Sequence, residues 1–174
     1  AQQSPLCFLD FPVHASVKTQ NVSGSVTDSA AAATAISSGQ KTVNGYLGLD
    51  QNKTRIETVA ETLRNLGRKI GILTTVSLDH ATPGGFYAHV DSRRSYSMIA
   101  DDLFASGFDY FAGGRFHNTP DAAAYAEENG YTIIPSFEEA PTSTEGRLIL
   151  SSSLNFGDYG VVPAIDGGAR TDWL

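Results

Sequence analysis

The chain reads VTDSAAAATAISSG from Val26 to Gly39. Alanine is the strongest helix former, and Thr, Asp and Ser are favoured at the residue that precedes a helix. Glycine is favoured just after the last helical turn, where the backbone often becomes left-handed. The stretch therefore predicts a helix that begins at about Ser29 and ends before Gly39, with Ser29 in its first turn.

A serine in the first turn of a helix has two interpretations. The first backbone N–H groups of a helix lack partners within it, and the helix dipole is positive at that end, so phosphate can bind there. A serine hydroxyl beside such a phosphate could attack it. The simpler interpretation is capping without chemistry, since Asp and Ser are common at helix starts for that reason alone.

The residues that follow favour the chemical interpretation. Lys41–Gly45 reads KTVNG, and Gly48 comes shortly afterwards. Together with the serine helix, this order resembles the nucleophile segment of bacterial alkaline phosphatases. The resemblance implies that Ser29 is phosphorylated and then hydrolysed, that Ser29 ligates a metal, and that Asp28 positions an arginine or a metal-bound water.

Helices and strands alternate along the rest of the chain. Helical periodicity predicts helices over 54–66, 95–106 and 120–129, the first with a capping box formed by Thr54 and Glu57. Runs of apolar residues predict strands over 69–76 (buried on both faces), 108–112, 131–134 and 147–152, a tight turn at Gly113–Gly114, and an extended segment over 160–166. This alternation predicts an α/β fold with a mostly parallel sheet. The resemblance extends it to a three-layer α/β/α sandwich that is incomplete.

A second chemical motif follows the strand predicted over 69–76. The loop from Ser77 to Pro83 reads SLDHATP, and chemistry in open α/β sheets is placed beyond the carboxyl ends of strands. From the residues alone, an ordinary polar loop remains the alternative. The motif resembles a His-Ala-Thr-Pro or Asp-Ala-Thr-Pro motif of alkaline phosphatases, which implies that His80 and Thr82 contribute to a third metal site.

An arginine follows the second motif in the resembled family, where it binds phosphate. The matching position is Arg93. Its neighbour Arg94 is the alternative, since a shift of the match by one residue would give it the same role. A guanidinium can bind two phosphate oxygens through its planar fork. His89 lies between the motif and Arg93, and we expect it to be a packing histidine with satisfied hydrogen bonds.

Composition limits the partners. The 174 residues predict a single domain over 1–174, and a net charge of −7 argues against nucleic acid or an anionic membrane. The sequence has no apolar run long enough to span a membrane. No charged-then-apolar signal peptide opens the given sequence, so we expect that export is absent or that the signal has been removed. The resemblance implies a small phosphomonoester substrate, a periplasmic or extracellular location, and a possible homodimer.

The metal ligands of the resembled family are only partly matched. That family uses two zinc ions and a magnesium ion, and its first strand ends in a Gly-Asp-Gly-Met-Gly run that is absent here. The four histidines (His14, His80, His89 and His117) do not form a His-x-x-x-His motif. We therefore expect this chain to be part of a catalytic unit. The alternatives are a non-catalytic anion-binding domain of the same fold and a related sulfatase or phosphodiesterase.

Overall fold

The structure is a computed structural model, and it describes residues 7–117, 119–134 and 146–152. Within them lies one four-stranded sheet, formed by β1 (Gly71–Ser77), β2 (Tyr110–Gly114), β3 (Tyr131–Ile134) and β4 (Arg147–Ser152). The strand order is β1-β2-β4-β3, and each neighbouring pair is parallel. This confirms the expected α/β class with a mostly parallel sheet.

Five α-helices accompany the sheet in the described ranges, after a short 3-10 helix at Cys7–Asp10. They are α1 (Ser29–Ser38), α2 (Val59–Asn65), α3 (Ala81–Gly84), α4 (Tyr96–Ser106) and α5 (Ala122–Glu128). None of them has the length and apolar character that crossing a membrane requires.

The main hydrophobic core lies between the sheet and the helices. Phe108 and Phe111 are fully buried and stack with ring centroids 6.1 Å apart. Tyr87 meets Phe111 edge to face at 5.5 Å, a preferred geometry for aromatic pairs. The apolar residues of α4 complete the core at the spacing that the sequence predicts: Ile99, Ala100, Leu103 and Phe104.

The helix predicted over 54–66 begins four residues later than expected. Thr58, not Thr54, is its N-cap, because the Thr58 side chain accepts the Glu61 N–H and the Glu61 carboxylate accepts the Thr58 N–H. Thr54 is held outside the helix, since its N–H donates to the Asp50 carboxylate at 2.8 Å. Its neighbour Arg55 forms a β-bridge with Leu49.

Two expectations about the strands are wrong. β1 is not buried on both faces. It is the outermost strand on one side of the sheet that the structure describes, and its Leu73 side chain is half exposed. The Gly113–Gly114 pair does not form a turn but continues β2, paired with Ser151 and Ser152. A Cβ at Gly113 would lie 2.7 Å from Leu78, so the glycine serves close packing of the loop that follows β1. The extended segment expected over 160–166 lies outside the described residues.

Candidate active site

Helix α1 begins and ends as the sequence predicts. Asp28 is its N-cap, with φ −91° and ψ 177°, and its Oδ1 accepts the Ala31 N–H at 2.9 Å. Gly39 ends the helix in the left-handed conformation, with φ 74°, and its N–H donates to the Ala35 carbonyl. Ser29 is therefore the first helical residue, and it is partly buried. Its position is the one at which a helix favours a bound anion.

Arg93 reaches the start of this helix from a distant part of the chain. Its Nη1 lies 3.4 Å from Asp28 Oδ2, with the arginine side chain 32% exposed and the aspartate side chain 23% exposed. Asp28 Oδ2 also accepts the Gly45 N–H at 3.1 Å. A partly exposed ion pair contributes at most about 1 kcal/mol, so its main effect is to orient the two side chains. Arg94 is exposed.

The loop after β1 adds His80 to the group. His80 is 8% exposed, and its Nδ1 accepts the Thr82 N–H at 3.3 Å, which makes it the N-cap of α3. Its Nε2 lies 3.4 Å from Arg93 Nη2. The contacts therefore run from Asp28 through Arg93 to His80 and on to Thr82. The five residues named from the sequence lie in this one group, since Ser29 directly follows Asp28.

Thr82 and Asp79 occupy contrasting environments in the same loop. Thr82 is exposed, whereas Asp79 is fully buried and its Oδ2 accepts the His117 N–H at 2.6 Å. Asp79 thus fixes the segment after β2 to the segment after β1, at the carboxyl edge of the sheet. Sequence reasoning did not single out this role, although an acidic residue directly after a strand is its signal.

The two segments of the candidate site are held together by close packing of α1 against α3. A Cβ at Gly85 would lie 2.4 Å from Ala33 Cβ, far inside van der Waals contact. The buried Ser37 hydroxyl donates to the Gly85 carbonyl at 2.5 Å. Because α1 begins at Ser29 and α3 begins directly after His80, this contact sets the distance between the two segments.

His89 has the packing role that the sequence predicts. Its ring is 12% exposed, with Nε2 3.1 Å from the Ile56 carbonyl and 3.4 Å from the Glu61 carboxylate. Burial raises the pKa of Glu61, but hydrogen bonds from His89, the Thr58 N–H and Arg55 outweigh it and lower the pKa from 4.5 to about 2. His89 therefore supports the N-terminal cap of α2 through its contact with Glu61.

The described residues contain no group of three or more His, Cys, Asp or Glu side chains that could hold a metal ion. His80 places its Nδ1 against the Thr82 N–H and its Nε2 3.4 Å from the Arg93 guanidinium. The donors in the described ranges do not fit a complete site for zinc or magnesium.

The family model described as alkaline phosphatase matches residues 1–111, which is more than half of the chain. The chain belongs to the alkaline phosphatase family. Alkaline phosphatase 4 of Bacillus subtilis is 30% identical over 159 residues, covering 86% of this chain and 34% of the relative. Escherichia coli alkaline phosphatase is 41% identical over 90 residues, covering 52% of this chain and 19% of the relative.

Solved alkaline phosphatase structures share the fold. A mutant of the TAB5 enzyme, described with Mg bound in its M3 site, superposes with a TM-score of 0.71 and 31% identity, over 81% of this chain and 43% of that one. The cold-active alkaline phosphatase of a Shewanella species gives a TM-score of 0.71 and 30% identity, over 80% of this chain and 36% of that one. The chain thus spans about a third of the Bacillus relative and less than half of each solved structure.

Proposed function

We propose that this chain carries the nucleophile-bearing part of an alkaline phosphatase that hydrolyses small phosphomonoesters through a phosphoserine at Ser29. The observation that carries the proposal is the contact of Arg93 with Asp28, the residue immediately before Ser29, at 3.4 Å. A cation is thereby placed beside the positive end of α1, where both favour a phosphate dianion. Membership of the alkaline phosphatase family supports the same reaction class.

In the proposed reaction, Ser29 Oγ attacks phosphorus in line with the ester oxygen. The Oγ–P bond forms as the bond between phosphorus and the ester oxygen breaks, and the serine proton ends on the departing alcohol. Water then attacks the phosphoserine, which restores Ser29 and releases inorganic phosphate. Arg93 donates to two phosphate oxygens, and Asp28 orients Arg93.

No step of this proposal is assigned to a metal ion, because the described donors do not fit a complete metal site. A metal in this family would activate the serine and stabilise the leaving oxygen. The expected contributions of Ser29, His80 and Thr82 to metal binding stay predictions. So do the two zinc ions and the magnesium ion, the homodimer, the single domain over 1–174 and the periplasmic or extracellular location.

The test is to trap the intermediate. The 174-residue chain is mixed with an aryl phosphate in the presence of zinc and magnesium, quenched with acid, and digested for mass spectrometry. We expect phosphate on the Ser29 peptide, and none in Ser29→Ala. Ser97→Ala is the matched control, since Ser97 is an exposed serine on α4. Phosphate release that exceeds the protein-free blank and is equal in Ser29→Ala and the parent would refute the proposal.

A second candidate is a non-catalytic anion-binding domain of the same fold. The position of Arg93 beside the start of α1 favours it, since these two features can bind an anion without a metal ion. Phosphate binding that is insensitive to chelator and gives no phosphoserine would identify this candidate. Arg93→Ala would then abolish binding, whereas Arg94→Ala, with the same loss of charge at an exposed position, would leave it intact.

A further inference from the structure

The Asn44–Gly45 turn lies directly against the residues that precede Ser29. The Tyr46 N–H donates to the Val43 carbonyl at 3.3 Å, so Asn44 and Gly45 are the central residues of a β-turn. Gly45 has φ 88°, the left-handed conformation that a type II turn requires at its third residue. The turn presents the Gly45 N–H to the Asp28 carboxylate and the Asn44 side chain to the Asp28 backbone.

The Asn44 carboxamide binds two backbone groups of the extended segment before α1. Its Nδ2 donates to the Val26 carbonyl at 2.9 Å, and its Oδ1 accepts the Asp28 N–H at 3.1 Å. In an extended chain the carbonyl of one residue and the N–H two residues later face the same side, which is how strands pair. The carboxamide therefore replaces the N–H and the C=O of one residue on a neighbouring parallel strand. Its orientation is unambiguous, since a backbone N–H only donates and a carbonyl only accepts.

A second asparagine fixes the first. Asn21 is 5% exposed, and its Nδ2 donates to Asn44 Oδ1 at 2.9 Å, which occupies the second lone pair of that oxygen. Asn21 Oδ1 in turn accepts the backbone N–H groups of Ser23 and Ser25, each at 3.0 Å. Asn21 thus fixes the Asn44 carboxamide, and the carboxamide in turn fixes the backbone of residues 26–28.

We propose that Asn44 is a positioning residue for the phosphate site. Resting on the proposed function of Ser29, the inference is that Asn44 fixes the backbone at Val26 and Asp28 and thereby the place of Ser29 and of the Asp28 carboxylate. Asn44 does not touch the substrate. Without its carboxamide the Asp28 backbone gains freedom, and phosphate binding must order it again at a cost in affinity.

The test compares Asn44→Ala with Asn65→Ala. Asn65 is the matched control, because it also makes a side-chain hydrogen bond, to Glu57 at 3.1 Å, but lies on the exposed surface of α2. Two readouts are used at a temperature where each variant is folded: the Kd for inorganic phosphate, and the exchange rate of the Asp28 amide hydrogen. Of the three hydrogen bonds that Asn44→Ala removes, the two to the Val26 and Asp28 backbone hold the segment before Ser29, and their loss predicts about tenfold weaker phosphate binding and faster exchange at Asp28. Asn65→Ala is expected to match the parent in both.

The two readouts separate failure of this inference from failure of the proposed function. A Kd for phosphate in Asn44→Ala equal to that of the parent, or unchanged exchange at Asp28, would overturn the positioning role alone. Phosphate release from an aryl phosphate that is as fast in Ser29→Ala as in an active parent would instead overturn the proposed function.

Discussion

Replacing Gly85 by alanine tests the contact that joins the two segments of the candidate site. Gly85 has φ −60° and ψ −9°, so alanine is compatible with its backbone and the whole effect is steric. The added Cβ would lie 2.4 Å from Ala33 Cβ, whereas carbon atoms pack at about 3.5–4.0 Å, so α1 and α3 must separate by about 1 Å.

The expected cost follows from two losses. Overpacking in a well-packed interior costs about 1–3 kcal/mol, and separation of the helices also weakens the buried Ser37–Gly85 hydrogen bond, worth about 1 kcal/mol. We therefore expect Gly85→Ala to lower the free energy of unfolding by about 2–4 kcal/mol. Phosphate binding should weaken as well, since Ser29 and His80 move apart.

The assay is urea denaturation of a graded series. A Cβ at Gly84 would meet the Ile99 and Leu47 side chains at 3.1 and 3.3 Å, and these flexible groups can yield, so Gly84→Ala should cost less. At Gly71 nothing lies nearer than 3.8 Å, and Gly71→Ala should be within about 0.5 kcal/mol of the parent. Equal stability of Gly85→Ala and Gly71→Ala would refute the argument.

Two further predictions concern α2. Thr58→Ala removes the N-cap and should cost about 1 kcal/mol by urea denaturation, whereas Thr54→Ala should cost much less; the reverse order would contradict the helix start in the structure. Because the pKa of Glu61 is lowered from 4.5 to about 2, its stabilisation is complete above about pH 4.5 and is lost as the pH falls through about 2. Glu61→Gln should therefore destabilise the chain at about pH 6 and have little effect at the lowest pH that keeps it folded, while the exposed control Glu128→Gln should show no such trend.

Local signals were enough to predict α1 but not the start of α2. Asp28 and Gly39 each act within one helical turn, so the local pattern is enough to predict both ends of the helix. Thr54 and Thr58 are each followed three residues later by glutamate, so the capping-box rule fits both. The Asp50 side chain decides between them by holding Thr54 in a turn, and that contact is not part of the rule.

The sheet shows the same limit at longer range. An apolar, β-branched run predicts β1, but whether a strand lies at the edge depends on which strands pair, and that is a property of the whole fold. Similarly, the glycine pair after Ala112 is typical of a turn until Leu78 is known to pack against it.

The resemblance predicted which residues form the candidate site, and the structure adds the contacts between them. The adjacent arginines cannot be distinguished by composition, whereas in the structure Arg93 contacts Asp28 and His80 and Arg94 is exposed. The role of Asn44 could not be predicted, because it depends on a hydrogen bond between its side chain and the Asp28 backbone, which lies 16 residues earlier in the sequence.

The most direct test of the central claim is a titration of the isotope-labelled chain with inorganic phosphate, followed by the backbone amide signals in NMR. We expect saturable shifts at Ser29 and at the following residue of α1, abolished in Arg93→Ala and retained in Arg94→Ala. Shifts confined to other parts of the chain, or an equal response in the two arginine variants, would contradict a phosphate site built from Ser29 and Arg93.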